Sequence, residues 1–147
     1  MFLCGVGEDG HLAFNEPGSS LGSRTRVKVL TNDTVEVNRR FFERGEKVPE
    51  MALTVGVGTV LDAREVIVVA LGGKKREAVR RGVEGAVSAG WTVSAVQMHE
   101  RGVWVMDEEA AGGVSVEGRE YARRVEEVKG ARGLLAKWET EGEKAKL

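Results

Sequence analysis

Cysteine is almost absent from this sequence: Cys4 stands alone, so no internal disulfide can form, and a reducing cytoplasm is the expected setting. No apolar run approaches the roughly 20 residues that span a bilayer, so no membrane-crossing helix is expected. Neither sign of charge is in excess. The 22 basic and 23 acidic side chains nearly cancel, which removes the usual reason to expect a polyanion or a membrane surface as partner. Trp91, Trp104 and Trp138 have no basic stripe beside them; they read as core or helix-packing residues, and no nucleic acid is expected. His11 and His99 are the only histidines. Together with Cys4 they form no ligand pattern of recognised spacing, so no metal is expected, and His99 reads as the end of a helix or a residue packed beside a sheet. The start, MFLCGV, lacks the basic region and long apolar region of a secretory signal. No internal repeat, low-complexity segment or Pro-rich linker divides the chain, and one domain is the default for 147 residues.

What is present alternates in character. Continuous apolar runs of strand length occur at Met1 to Val6, Val66 to Leu71 and Val103 to Met106, each followed by Gly or Asp, and read as buried strands. Between them, Asp33 to Glu43 and Lys74 to Val87 carry Val, Phe or Ala at helical spacing among charges. Strand and helix in alternation predict an α/β fold with a mostly parallel sheet and helices on both faces. Many of the 20 glycines, among them Gly5, Gly7, Gly10, Gly72 and Gly73, fall where strands give way to loops, which is where open α/β sheets bind ligands. Glu117 to Leu147 is highly charged with a sparse apolar set (Tyr121, Val125, Val128, Leu134, Leu135, Trp138) and reads as an exposed terminal helix fraying into a tail. A buried strand at the first residue needs neighbours to satisfy its backbone, so preceding strands are expected to be missing.

Gly5-Val6-Gly7-Glu8-Asp9-Gly10 spells GxGxxG after a strand, and Asp33 follows at about the distance of a ribose-binding acid. The match is a false one. A dinucleotide site needs a full helix at the third glycine, whereas His11 to Glu16 runs into Pro17-Gly18, and Glu8 and Asp9 put negative charge where a pyrophosphate would sit. The other reading lets the glycines bend the chain so that Asp9, His11 and Glu16 converge on a small polar ligand. A histidine flanked by carboxylates is a plausible proton shuttle. The bland alternative is that the acids form turns and caps and the histidine has no catalytic role.

Taken whole, GVGEDGHLAFNEPGSSLGSRTRVKVLTNDT resembles the signature region of the glucosamine-6-phosphate deaminases. These enzymes convert glucosamine 6-phosphate and water to fructose 6-phosphate and ammonia in amino-sugar catabolism. The likeness continues through NRRFF, ALTVGVGTVLDAREVIVVALGGKK and VEGAVSAGWTVSAVQMH to VMDE, so it covers the chain to about Gly130. Residues 1–130 are thus expected to be the C-terminal portion of a sugar-phosphate isomerase/deaminase domain of Rossmann-like, ribose-phosphate isomerase-like fold, and residues 131–147 a charged extension.

The resemblance implies roles residue by residue. Asp9, His11 and Glu16 would open the sugar ring, with His11 carrying a proton between the anomeric hydroxyl and the ring oxygen while the acids orient it. Arg40 and Lys75 would hold the substrate phosphate, Lys75 just after Gly72-Gly73 at a helix N-terminus; Arg39 and Lys74 keep ordinary surface roles. Thr31 to Met51 resembles a mobile lid. Ser19, Arg26 and Lys28 match an allosteric site for N-acetylglucosamine 6-phosphate, with Arg26 and Lys28 on one face of a strand. The resemblance also implies a cytoplasmic homo-oligomer, a hexamer in the family, that uses no metal or organic cofactor. A preceding half of similar length would supply the Asp that takes the C2 proton and a Gly-rich phosphate loop, so this chain alone is expected to be poorly soluble and nearly inactive. Two other readings stay open: a 6-phosphogluconolactonase-like hydrolase, and a non-catalytic sugar-phosphate-binding fragment.

Overall fold

The computed structural model describes residues 1–131. Residues 1–113 form one compact unit, and the described residues from 114 onward belong to a second. The first is an α/β unit built on three parallel strands, β1 (Phe2–Gly5), β4 (Val66–Ala70) and β5 (Gly102–Met106), in the order β1-β4-β5. Phe2 pairs with Val66 and Gly5 with Val69, while Val66 pairs with Gly102 and Ala70 with Met106. Parallel neighbours need crossover connections, and the intervening helices supply them.

β4 comes nearest to the expectation of a buried strand, with Ile67 and Val69 half-buried between covered residues. Val66, Val68 and Ala70 are at most 1% exposed, and each buried valine contributes roughly 1.5–3 kcal/mol of apolar burial. The outer strands differ. Leu3 on β1 is 62% exposed, and Val103 and Val105 on β5 are 42% and 49% exposed. A continuous apolar run signals two covered faces, but β1 and β5 lie at the edges of this sheet, and their side chains alternate between covered and open.

The predicted helices are shorter than their periodicity. Asp33 to Glu43 becomes α1 (Asn32–Asn38), continued by a 3-10 turn at Arg39–Phe41. Thr31 caps α1, its hydroxyl accepting from Thr34 N. Lys74 to Val87 becomes a 3-10 turn at Gly73–Lys75 and α3 (Arg76–Val83), with Lys75 at the cap of α3. Gly85 N donates back to Arg80 O at 3.1 Å and closes its end. The buried side of α3, Ala78 and Val79, joins Val57 and Val60 of α2 (Val57–Leu61) and Val93, Ala95 and Val96 of a 3-10 segment at Thr92–Met98 in the core. His99 ends that segment, its Nε2 2.8 Å from Ala63 O and its Nδ1 accepting from Arg101 N.

An antiparallel ribbon, β2 (Arg26–Val29) with β3 (Met51–Thr54), stands outside the parallel sheet. α4 (Glu108–Ala111) follows β5, capped by the Asp107 carboxylate. In the second unit, α5 (Val116–Ala131) follows Ser115, whose hydroxyl accepts from Gly118 N. Tyr121 and Val128 on α5 are exposed. Leu134, Leu135, Trp138 and the rest of the expected extension lie outside the described residues. Among the described residues no helix is long and apolar enough to cross a membrane, and no His, Cys, Asp and Glu cluster has metal-binding geometry.

Candidate active site

No helix begins at Gly10. Residues 7 to 15 instead form a compact loop at the C-terminal end of β1, with Gly7 N donating to His11 O and Gly10 N to Gly7 O. Without a helix N-terminus here, the GxGxxG spelling has no place for a pyrophosphate. Gly10 has φ 76°, in the left-handed region that favours glycine, and a β-carbon there would overlap the Trp91 ring. Trp91 in turn lies under Arg81, whose Cζ is 5.5 Å from the ring centroid.

The far side of the loop is closed by Thr92. Its hydroxyl accepts from Leu12 N at 3.0 Å and donates to Asn15 O at 2.7 Å. Asn15 is fully buried, and its Nδ2 donates to Leu12 O and Val55 O. Ala13, held between these clamps, has φ 53°, a left-handed conformation that costs a non-glycine residue roughly 1–2 kcal/mol. Such strain persists only where the surroundings impose it.

A cavity of about 590 Å³ opens over this loop. Asp9, His11, Arg40 and Lys75 all line it, joined by Thr34 and Asn38 of α1. His11 Nδ1 lies 2.6 Å from Asp9 Oδ1, and the same oxygen accepts from His11 N at 3.3 Å. Nδ1 is shut off from solvent, and Asp9 approaches it off the line of a good hydrogen bond. Nδ1 thus faces the carboxylate, while the side chain keeps 27% of its surface open. A carboxylate set against one nitrogen of a partly open imidazole is an arrangement that suits a proton shuttle. Gly7 makes room for it, because a β-carbon at Gly7 would overlap the imidazole and crowd Asp9.

Glu16 does not join this pair. It is 7% exposed, and its Oε1 accepts from Thr31 N (3.0 Å), Thr31 Oγ1 (2.9 Å) and Thr34 Oγ1 (2.6 Å). Burial pushes its pKa up, but the hydrogen bonds from Thr34 and Thr31, with the charge of Lys28, outweigh that and hold it below the ordinary carboxylate value. The structure therefore brings together four of the five residues expected around the substrate and turns the fifth toward the start of α1.

No protein-family model matches the chain. The glucosamine-6-phosphate deaminase of Dictyostelium discoideum is 52% identical over 126 residues, 86% of this chain and 47% of that protein. That of Phocaeicola vulgatus is 51% identical over 127 residues, 86% of this chain and 48% of that protein. Over most of its length the chain is related to glucosamine-6-phosphate deaminases. It spans just under half the length of these curated relatives. Among solved structures, a monomeric glucosamine-6-phosphate deaminase superposes with a TM-score of 0.70 at 40% identity, over 75% of this chain and 46% of that one. A 6-phosphogluconolactonase from Trypanosoma brucei superposes at 0.55 with 24% identity, over 77% of this chain and 41% of that one, a likeness of fold alone.

The residues matched to an effector site lie outside the cavity wall. Ser19 is 5% exposed, and its Oγ has no hydrogen-bond partner among the described residues. Arg26 and Lys28 share the half-buried face of β2, with Val27 and Val29 opposite. Arg26 Nη1 donates to Asn15 Oδ1 at 3.0 Å, so the ribbon is tied to the loop that carries His11. Arg39 pairs with Glu36 and Lys74 with Glu8, both on the surface. Thr31, Thr34 and Thr92 are the site residues that the sequence reading omitted. Thr31 was legible as a helix cap ahead of Asn32-Asp33-Thr34; Thr92, 80 positions from Leu12, gave no local signal.

Proposed function

We propose that this chain supplies the ring-opening and phosphate-holding part of a glucosamine-6-phosphate deaminase, which releases ammonia and fructose 6-phosphate from glucosamine 6-phosphate. The observation that carries the reading is the Asp9–His11 pair sharing one cavity with Arg40 and Lys75. Opening a pyranose requires a proton to leave the anomeric hydroxyl and another to reach the ring oxygen. A single imidazole can do both in turn, taking the first proton on its free nitrogen and returning one to the ring oxygen. Asp9 beside Nδ1 fixes the ring and stabilises the imidazolium formed midway. Arg40 and Lys75 are the fixed positive charges that a phosphomonoester needs.

Removal of the C2 proton we assign to a carboxylate in the part of such a deaminase that this sequence does not span. Ser19, Arg26 and Lys28 form the proposed effector site for N-acetylglucosamine 6-phosphate, in a homo-oligomer; saturating effector is expected to change the substrate saturation curve. A lactonase reading has the fold in its favour and no residue of this site in particular.

Ammonia release from glucosamine 6-phosphate by the protein that carries this chain tests the reading. His11→Ala is expected to lower kcat by about 10²–10⁴, and Arg40→Ala to act mainly on KM. Hydrolysis of 6-phosphogluconolactone without ammonia release would overturn it.

A further inference from the structure

We propose that Glu16 acts as a positioning residue that fastens α1 over the cavity through Thr31 and Thr34, and so sets the place of Arg40. This goes beyond the ring-opening role that resemblance gives Glu16, and it rests on the proposed function only in taking Arg40 as a phosphate ligand.

Three donors converge on one oxygen. Thr31 N, Thr31 Oγ1 and Thr34 Oγ1 all lie within 3.0 Å of Glu16 Oε1. Thr34 is 8% exposed, so this junction is largely shielded from water, and charge-assisted hydrogen bonds are strongest when shielded. Thr31 Oγ1, while donating to Glu16, also accepts from Thr34 N and caps the helix. The carboxylate is thus joined to the first turn of α1 by both residues that organise that turn.

From there the connection to the cavity is short. Asn38 Nδ2 donates to Thr34 O at 2.8 Å, one turn along. The 3-10 turn Arg39–Phe41 continues directly from Asn38, and Thr34, Asn38 and Arg40 line the same cavity as His11. At the other end, Glu16 follows Asn15, which is clamped by Thr92, Leu12 and Val55. Glu16 therefore joins a rigid loop bearing the proton shuttle to a short helix leading to a candidate phosphate ligand. A helix of 7 residues has little stability of its own, so its position depends on such anchors.

Hydrogen exchange and ligand titration on the full chain test this. Thr34→Val removes one donor at nearly constant shape, and Thr34→Ser keeps it. Exchange across residues 32–41 is expected to rise about tenfold in Thr34→Val and in Glu16→Ala, with exchange in β4 unchanged. Thr34→Ser should restore the parental rates. Affinity for glucosamine 6-phosphate should fall several-fold in Thr34→Val, but no further when Thr34→Val is added to Arg40→Ala.

Unchanged exchange across 32–41 in Thr34→Val would overturn the proposal, as would equal losses of affinity in the presence and absence of Arg40. If Glu16→Ala unfolds throughout, the Thr34→Val and Thr34→Ser pair decides alone. Raised exchange across 32–41 in Thr34→Val with affinity for glucosamine 6-phosphate unchanged supports the fastening of α1 and overturns its part in placing Arg40.

Discussion

Thr92 Oγ1 donates to the main-chain oxygen of Asn15 at 2.7 Å, across 77 positions of sequence. The same hydroxyl accepts from Leu12 N, so one buried side chain holds both ends of the turn that follows His11. Replacing it by an isosteric methyl leaves two buried backbone groups without partners, each costing about 1–3 kcal/mol. Thr92→Val is therefore expected to lower the unfolding midpoint in urea, and Thr92→Ser to keep most of it. Equal midpoints for parent and Thr92→Val would show that the clamp contributes nothing.

Gly7 faces the Asp9–His11 pair closely enough that a methyl group would overlap the imidazole. Gly7→Ala should cost roughly 1–3 kcal/mol, as overpacking does, and move the ring away from Asp9. The measurement is the NMR chemical shifts of the His11 ring at fixed pH. The expected result is ring signals displaced from those of the parent chain, and superimposable signals would refute the crowding.

Burial pushes the Cys4 thiol up from 9.0 to about 11. Its neutral form is the one that folding favours, so this contribution is fully present below pH 9.0 and is lost as pH rises toward 11. At pH 8 the folded chain should hold about a hundredfold less thiolate than the unfolded chain. Higher intrinsic nucleophilicity recovers part of that, leaving alkylation by iodoacetamide about tenfold slower than in urea. Equal rates in both states would contradict the burial argument.

Hydrogen bonds from Arg80 and then Arg81 hold the Glu77 carboxyl at about 2, below its ordinary 4.5. Glu16 is shifted in the same direction. A depressed carboxylate contributes stability above its unfolded pKa and loses it as pH falls through the folded one. Acidification below pH 4.5 should therefore weaken the fold, and Glu16→Gln should flatten part of that decline in thermal melts. Glu77 is fully solvated and paired on the surface, so Glu77→Gln should alter the decline much less.

How far the sequence could be read depended on the range of each interaction. The three parallel strands were visible because each is a short apolar run with a turn signal behind it. The ends of α1 and α3 were not, because α1 closes through a 3-10 turn, α3 opens from one, and the periodicity continues past them. The ribbon of β2 and β3 was only partly legible: Arg26 and Lys28 do share a face, but no signal named Met51–Thr54 as their partner strand.

The site divides along the same line. Asp9 and His11 are two positions apart in a glycine-bent loop, and Arg40 and Lys75 carry charges whose use is chemically narrow. Sequence alone therefore determined the parallel α/β scaffold, the family resemblance and the chemical types at the cavity. Only the tertiary structure decided where Glu16 goes. A carboxylate takes the donors that folding brings within 3 Å, and those belong to Thr31 and Thr34 rather than His11. The same holds for Thr92, whose partners lie 77 and 80 positions away and are brought together by packing rather than by local pattern.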